Sequence, residues 1–303
     1  MKIRLTVRQY TLEAQGFLDE LVPAFERYGI ELVSANPDLE ILLGKGTDTE
    51  NRICWGELGK GASNRLLNRI LGETKSRIWS LCGIMKEEAI ARVSTLSVAS
   101  LRVTVTEPKV GQIFLFAYAL EETSYPDFEY ECGRLLELFQ EYVFSTGERT
   151  KAEYIVHELR SRGLKIATAE SYTSGRVAAE LTSVSGASEV FYSGFVPYTE
   201  SAKNKYLSVD KKTLALDGAV SINAVYQMAV GTLKSTGADV VIATTGYAGP
   251  SGKDVGKCFV AVGDSKRIYI YEQHFVGSRS EITEMGVAQA LDYTVRYLLG
   301  NLK

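Results

Sequence analysis

The sequence is short of the residues that several large classes of protein need. Its four cysteines are scattered and form no CxxC pair, so we expect neither a metal site nor a disulfide framework. No apolar run reaches the 18 residues of a transmembrane helix. Residues 1–8 alternate polar and apolar side chains, unlike the continuous apolar run of a signal peptide. These absences favour a protein of the cytoplasm with no metal and no membrane partner.

Histidine is equally scarce, with only two in the chain. His157-Glu158 is not followed by the second histidine of a zincin helix, and His274 lies in a predicted strand with no triad partner in view. A Ser-His-Asp site is therefore disfavoured, and a lysine fits the role of general base better.

The chain also lacks an excess of positive charge, since its formal net charge is −3. No basic stripe is available for nucleic acid, and any anionic ligand would need a local site. Gly56-Glu57-Leu58-Gly59 matches the GxxG of RNA-binding KH domains, but with 27 glycines in the chain such a match has little weight. There is no Walker A motif and no GxGxxG after a strand, so no cofactor is expected.

The length of 303 residues predicts about two domains, and the polar segment Ser145–Thr150 is the best boundary. We expect a small α+β region of unclear role over 1–75, a second α+β unit over 76–148, and an α/β domain over 149–303. In the last domain, strands over 164–169, 188–197, 239–245, 255–262 and 267–275 alternate with helices over 151–162, 174–183, 200–206, 211–216, 222–236 and 279–299. This alternation predicts a three-layer α/β/α fold.

The most informative segment is Thr168–Gly175, a polar turn between a short apolar strand over 164–167 and a helix-like run over 176–181. A helix start leaves backbone N–H groups unpaired, and these attract anions and developing negative charge. Ser171 could there attack a carbonyl while the N–H groups stabilise the oxyanion. The alternative is that Ser171 or Thr173 only caps the helix.

Three further loops in the second half carry polar clusters, over 194–203, 218–221 and 244–253. Most of the four clusters follow predicted strands, where open α/β sheets place their ligand crevice. We therefore expect these loops to converge on one site.

Residues from about 150 to 300 resemble the C-terminal domain of the CinA family, the nicotinamide-nucleotide amidohydrolases. That family reads TAESCTGG, G-V-x-Y-[ST]-N-x-A-K, GAVS, GIAGP-x-G and K-P-V-G-T-V, with G-x-R opening its last helix. The chain has TAESYTSG, GFVPYTESAK, GAVS, GYAGPSG, KDVGKC and Gly277-Ser278-Arg279 in the same order. Residues 76–148 resemble the family's KH-type linking domain, on Leu81-Cys82-Gly83-Ile84 and Leu101-Arg102-Val103-Thr104.

The resemblance implies a serine amidohydrolase that deamidates nicotinamide mononucleotide, a pyridine nucleotide, and that forms a homo-oligomer. Ser171 would be the nucleophile, Lys203 its general base, and Tyr198 would support the pair by hydrogen bonding. A lysine can serve as base only if desolvation or a nearby cation lowers its pKa from about 10.4 toward neutrality. The remaining expected roles are oxyanion and substrate binding by Thr173, Ser174, Gly175, Thr245, Gly246, Gly249 and Arg279, the last as a phosphate clamp.

Three departures from the family pattern lie beside these residues. Tyr172 replaces a cysteine, Ser174 a glycine and Glu200 an asparagine. Serine at a positive φ costs roughly 1 kcal/mol, and a carboxylate near Lys203 raises its pKa. They leave two alternatives open: a catalytically impaired nucleotide-binding or oligomeric relative, and a nucleic-acid-associated protein acting through the KH-like half.

Overall fold

The computed structural model describes residues 2–7, 18, 21, 31–32, 39–43, 52–55, 76–97, 100–120, 123–250 and 254–302. The chain divides into two compact units. The first comprises Met1–Trp79, Lys86–Pro108 and Ile113–Glu141, and the second comprises Ser80–Met85, Lys109–Gln112 and Tyr142–Lys303. Among the described residues, no helix is long and apolar enough to cross a membrane.

The first unit contains two groups of strands. One is a parallel sheet in the order β2-β1-β3-β4, built from β1 (Lys2–Val7), β2 (Glu31–Leu32), β3 (Leu39–Leu43) and β4 (Arg52–Trp55). In the other, β7 (Gln112–Ala119) lies between β5 (Ser76–Leu81) and β6 (Leu101–Lys109), with helices α1 (Lys86–Ser94) and α2 (Tyr125–Phe139). The GxxG segment over 56–59 lies outside the described residues.

The second unit is built on a five-stranded sheet in the order β10-β9-β11-β12-β13. Its strands are β9 (Ile166–Glu170), β10 (Phe191–Phe195), β11 (Val240–Gly246), β12 (Lys257–Gly263) and β13 (Ile268–His274). The first three strands of that order run parallel, whereas β12 and β13 pair antiparallel. Strand β8 (Val143–Thr146) comes before the first helix of this unit.

Helices cover both faces of this sheet. They are α3 (Lys151–Ser161), α4 (Arg176–Thr182), α5 (Glu200–Leu207), α6 (Lys211–Leu216), α7 (Ile222–Thr236) and α8 (Arg279–Leu298), with a 3-10 turn at Ala187–Glu189. Buried side chains of α3, α4 and α8 form one apolar cluster with Ile166 and Ile242, and those of α5, α6 and α7 form another with Ala169 and Ala243. Strand residues an odd number of positions apart thus point to opposite faces of the sheet, as the period of two requires. The second unit is the expected three-layer α/β/α fold.

The helices that carry the candidate site begin at hydroxyl caps. Thr199, Ser221 and Ser278 accept hydrogen bonds from the backbone N–H groups of Ala202, Ala224 and Glu281, which fixes the first turns of α5, α7 and α8. Glu281 completes a capping box with Ser278. The element bounds of the second unit agree with the sequence predictions to within a few residues, whereas the domain bounds at 75 and 148 stay a prediction.

Candidate active site

The polar loops of the second unit follow three neighbouring strands at one edge of the sheet. Strands β10, β9 and β11 are parallel and adjacent, so their carboxyl ends lie side by side. They lead into the turn 171–175, the segment 196–199 and the loop that begins at Tyr247. This is the place where parallel sheets present ligand sites, and the described parts of the loops after these three strands begin side by side there.

Ser171 and Lys203 are in direct contact at this edge. The Nζ atom of Lys203 donates a hydrogen bond to Oγ of Ser171 over 2.9 Å and a second one to the carbonyl oxygen of Pro197 over 3.0 Å. Ser171 is 8% exposed and Lys203 only 1%. Lys203 shares the buried face of α5 with Leu207, four residues further on. The hydroxyl and the amine, 32 residues apart in sequence, therefore meet in a dry environment.

Burial changes the acid–base behaviour of this lysine. Desolvation lowers the pKa of Lys203 from 10.5 to about 8, and the nearby charge of Glu200 acts in the opposite direction. No side-chain carboxylate of the described residues makes an ion pair with Lys203. Burial therefore moves the pKa of Lys203 toward physiological pH, where the neutral amine that a general base needs becomes accessible.

The turn that carries Ser171 is held by strand β11. The backbone N–H of Ser171 donates to the carbonyl of Thr244 over 3.0 Å, and the buried hydroxyls of Thr173 and Thr244 lie 2.7 Å apart. Ser174 has a φ of 56°, in the left-handed region that favours glycine. The family pattern has a glycine at this position, so the expectation that Ser174 replaces a positive-φ glycine agrees with the geometry.

Glu170 is a site residue that sequence reasoning missed. Its fully buried carboxylate accepts hydrogen bonds from the N–H groups of Val177 and Ala178, over 3.0 and 2.8 Å. These are donors of the first turn of α4, so the start of that helix is closed by an internal anion. The sequence alone predicts that the N–H groups at this helix start are open to an external anion. This expectation is corrected, because the side chain of Glu170 accepts from two of them. A glutamate just before a polar turn and a helix was the available signal.

The predicted oxyanion donors differ in availability. The N–H of Ser174 already donates to the carbonyl of Ser171 over 3.1 Å, so it does not serve as expected. The N–H groups of Thr173 and Gly175 donate to no described residue. Only these two of the three predicted donors remain available in the turn.

Tyr198 has a different partner from the one expected. Its hydroxyl is 2.6 Å from Nη2 of Arg279, which donates to it, and it makes no hydrogen bond to Ser171 or Lys203. Tyr198 is 54% exposed, whereas Lys203 is 1% exposed and its amine donates to the carbonyl of Pro197. The expectation that Tyr198 supports the pair by direct hydrogen bonding is therefore corrected.

Arg279 joins two of the converging loops. Besides Tyr198 it binds the carbonyl oxygen of Gly249, which accepts from Nη1 over 2.6 Å. Gly249 has a φ of 77°, and the bond that follows it, Gly249–Pro250, is cis. A guanidinium has five N–H donors, and the residues that the structure describes accept from two of them.

Thr245 and Gly246 end strand β11 beside the site. The hydroxyl of Thr245 donates to the carbonyl of Ala219 over 2.7 Å, which ties the strand to the segment before α7. A Cβ atom at Gly246 would lie 2.5 Å from the sulfur of Cys258, so glycine is required there for packing. The hydrogen bond to Ala219 explains the threonine at position 245, and the packing against Cys258 explains the glycine at position 246.

Comparison with known proteins identifies relatives of the second unit. The family model described as the CinA C-terminal domain matches residues 148–298. A CinA-like protein of Kosmotoga olearia is 38% identical over 170 residues, which are 55% of this chain and 41% of that protein. A CinA-like protein of Desulfotalea psychrophila is 30% identical over 236 residues, 76% of this chain and 57% of that protein.

A solved structure, described as the competence/damage inducible protein CihA from Agrobacterium tumefaciens, is 37% identical to this chain. The match covers 47% of this chain and 90% of that one, with a TM-score of 0.46. The chain spans only 41% and 57% of the lengths of the two CinA-like proteins.

Proposed function

The chain belongs to the family of the CinA C-terminal domain, and we propose that it is a serine amidohydrolase acting on nicotinamide mononucleotide. Its products are nicotinic acid mononucleotide and ammonia. The observation that carries the proposal is the 2.9 Å contact between the buried amine of Lys203 and the hydroxyl of Ser171. The motifs shared with the nicotinamide-nucleotide amidohydrolases support the choice of substrate.

In the first step, the hydroxyl of Ser171 attacks the carboxamide carbon and its proton passes to the neutral amine of Lys203. The contact between Nζ and Oγ serves this transfer once the amine accepts rather than donates. A neutral amine still has two N–H groups, of which one stays on the carbonyl of Pro197. Pro197 thus orients the lone pair of Lys203 toward Ser171.

In the second step, the C–N bond breaks and Lys203 returns the proton to the departing nitrogen, which leaves as ammonia. An ester between Ser171 and the nicotinoyl group remains. A water molecule then attacks this ester, with Lys203 again taking a proton, and the acid product leaves as the hydroxyl of Ser171 re-forms. The N–H groups of Thr173 and Gly175 are the turn's available donors for the oxyanion, and each such donor typically contributes on the order of 10²–10³ in rate.

The second candidate is an impaired relative that binds the nucleotide without turning it over. The positive φ of Ser174 and the effect of Glu200 on Lys203 favour it, because both act against an efficient nucleophile and base. Binding would then still use Arg279, whose planar set of N–H donors suits a phosphate.

The deciding experiment measures ammonia released from nicotinamide mononucleotide by wild type, Ser171→Ala and Lys203→Met. We expect release by wild type and its loss, by about 10³-fold or more, in both variants. Lys205→Met, an exposed lysine on the same helix, and Ser183→Ala, at the end of α4, are the matched controls. No release by wild type above a blank without enzyme rules out the hydrolase, and a thermal shift with the nucleotide then supports the second candidate.

A further inference from the structure

A notch in helix α8 receives the side chain that follows the proposed nucleophile. Tyr172 is only 3% exposed, although it comes directly after Ser171 in the turn. A Cβ atom at Gly286 would lie 2.3 Å from the hydroxyl oxygen of Tyr172 and 2.6 and 2.7 Å from two of its ring carbons. A real Cβ atom essentially never comes within 3.0 Å of such an atom, so the ring fills the space that any other residue at position 286 would need.

Gly286 belongs to a stripe of α8 that faces the site loops. Arg279, Thr283 and Gly286 follow the spacing i, i+4, i+7, which places them on one face of the helix. Arg279 binds Gly249 and Tyr198, as described above. The hydroxyl of Thr283 donates its hydrogen bond to the carbonyl oxygen of Arg279 over 2.8 Å and also lies 3.5 Å from the carbonyl oxygen of Tyr172, which is a polar contact. Helix α8 therefore contacts both the backbone and the ring of Tyr172.

Other buried side chains pack with the same ring. Tyr172 forms a buried apolar cluster with Ala248, Cys258 and Ile282, which come from the loop after β11, from β12 and from α8. A ring pushed away from position 286 must displace one of these groups or move its own backbone. The neighbouring residue in that backbone is Ser171.

We infer that Tyr172 and Gly286 are positioning residues, whose contact holds the hydroxyl of Ser171 against the amine of Lys203. The inference rests on the proposed function, because it assigns a purpose to that contact. One peptide bond separates Tyr172 from Ser171, so a displaced ring changes the distance between Oγ and Nζ. A misplacement of about 1 Å in a catalytic group can cost on the order of 10²-fold in rate.

The test is a double-mutant cycle of Gly286→Ala and Tyr172→Cys, with cysteine chosen because the family pattern has it at that position. All proteins are kept reduced, since Cys258 is near. We measure kcat, KM, Tm and the rate at which a fluorophosphonate, a general serine-directed reagent, labels the protein. Gly133→Ala is the control, because Gly133 lies in helix α2 and a Cβ atom there would meet nothing within 4 Å.

We expect Gly286→Ala to lower kcat and the labelling rate by about 10²-fold while KM changes little, because Ser171 moves and the binding groups do not. The double variant should recover to within a few-fold of Tyr172→Cys alone, since the smaller side chain vacates the notch. Gly133→Ala should match wild type or raise Tm, as helix interiors favour alanine over glycine.

Two results overturn the inference: a Gly286→Ala protein with the kcat and Tm of wild type, or a double variant as impaired as Gly286→Ala. If Gly286→Ala does not fold, folding of the double variant supports the contact and its failure contradicts it. A wild type that releases no ammonia counts against the proposed function alone, because the Tm values of the cycle and the labelling rates still test whether the contact positions Ser171.

Discussion

Glu200 and Lys203 lie three residues apart in helix α5, and the charge of the carboxylate raises the pKa of the amine. Burial outweighs this effect and leaves the pKa of Lys203 at about 8. The carboxylate is exposed, so water weakens its influence, whereas the desolvated amine has no such relief. The strength of the proposed base is therefore set by two opposing and separable causes.

Glu200→Gln removes the cause that raises the pKa. We expect the pKa of Lys203 to fall, so the acidic limb of the pH profile of kcat/KM moves to lower pH, by up to about one unit. More of the amine is then neutral at pH 7, and ammonia release at that pH increases. The measurement is kcat/KM from pH 5.5 to 9.5, which reports the free enzyme.

Glu189→Gln is the control, since that exposed glutamate in the 3-10 turn does not act on Lys203. It should leave the limb in place. A limb that stays or moves upward in Glu200→Gln contradicts the assignment of Lys203 as the base.

Lys203→Met tests the cost of keeping this amine buried. The pKa is about 8 in the folded protein and near 10.5 otherwise, so folding disfavours the charged form. This cost is complete below pH 8 and disappears as the pH rises through 10.5. We expect the variant to gain about 1–3 kcal/mol in the free energy of unfolding at pH 7, after the loss of two hydrogen bonds.

Urea unfolding at pH 7 and at pH 10 measures this gain. The difference between variant and wild type should shrink at pH 10, because the lysine is then mostly neutral in the folded state and partly neutral in the unfolded one. A difference that grows with pH is opposite in sign and shows that the amine is not destabilised by burial.

The pairing of Ser171 with Lys203 could be predicted because it follows from the order of the elements and from shared motifs. A hydroxyl just after β9 and a lysine in the helix after β10 share one edge of a parallel sheet, whatever the details of packing. The burial of the amine follows from the position of Lys203 in its helix, since Lys203 lies on the same buried face as Leu207.

The partners of Glu170, Ser174 and Tyr198 could not be predicted in the same way. They depend on side-chain rotamers and on which of several nearby donors a group selects. The hydroxyl of Tyr198 and the guanidinium of Arg279 are 81 residues apart, and no local pattern specifies their contact. A buried carboxylate at a helix start is typical chemistry, but the sequence alone leaves open whether Glu170 turns inward.

Glu170→Gln leaves one of the two backbone N–H groups that Glu170 binds at the start of α4 without an acceptor oxygen. The carboxylate accepts from Val177 and Ala178, whereas an amide has only one acceptor oxygen. We expect a loss of about 1–3 kcal/mol in the free energy of unfolding, as for an unsatisfied buried group. Thermal unfolding measures it, with Glu180→Gln, a partly buried glutamate on α4, as a comparison for a glutamate outside the site. An unchanged stability shows that water replaces the lost partner.

Tyr198→Phe separates the observed partner of this hydroxyl from the expected one. Because the hydroxyl binds Arg279 and neither Ser171 nor Lys203, we expect KM for the nucleotide to rise a few-fold while kcat and its pH limb stay close to wild type. Arg279→Lys should raise KM further, and the double variant should add little to it, since the two residues act together. A lower kcat with a shifted pH limb in Tyr198→Phe restores the hydroxyl to the catalytic pair.

Ser174→Gly distinguishes the active enzyme from the impaired relative. The φ of 56° costs a serine about 1 kcal/mol, and glycine removes that strain although it gains some freedom in the unfolded chain. We therefore expect a small rise in Tm, together with an unchanged kcat if Ser174 does not hinder Ser171. A large rise in kcat instead shows that the serine restrains the nucleophile turn, which is what the second candidate requires. Ser183→Ala, outside the turn and at a negative φ, should reproduce neither effect, so the comparison isolates the backbone at position 174.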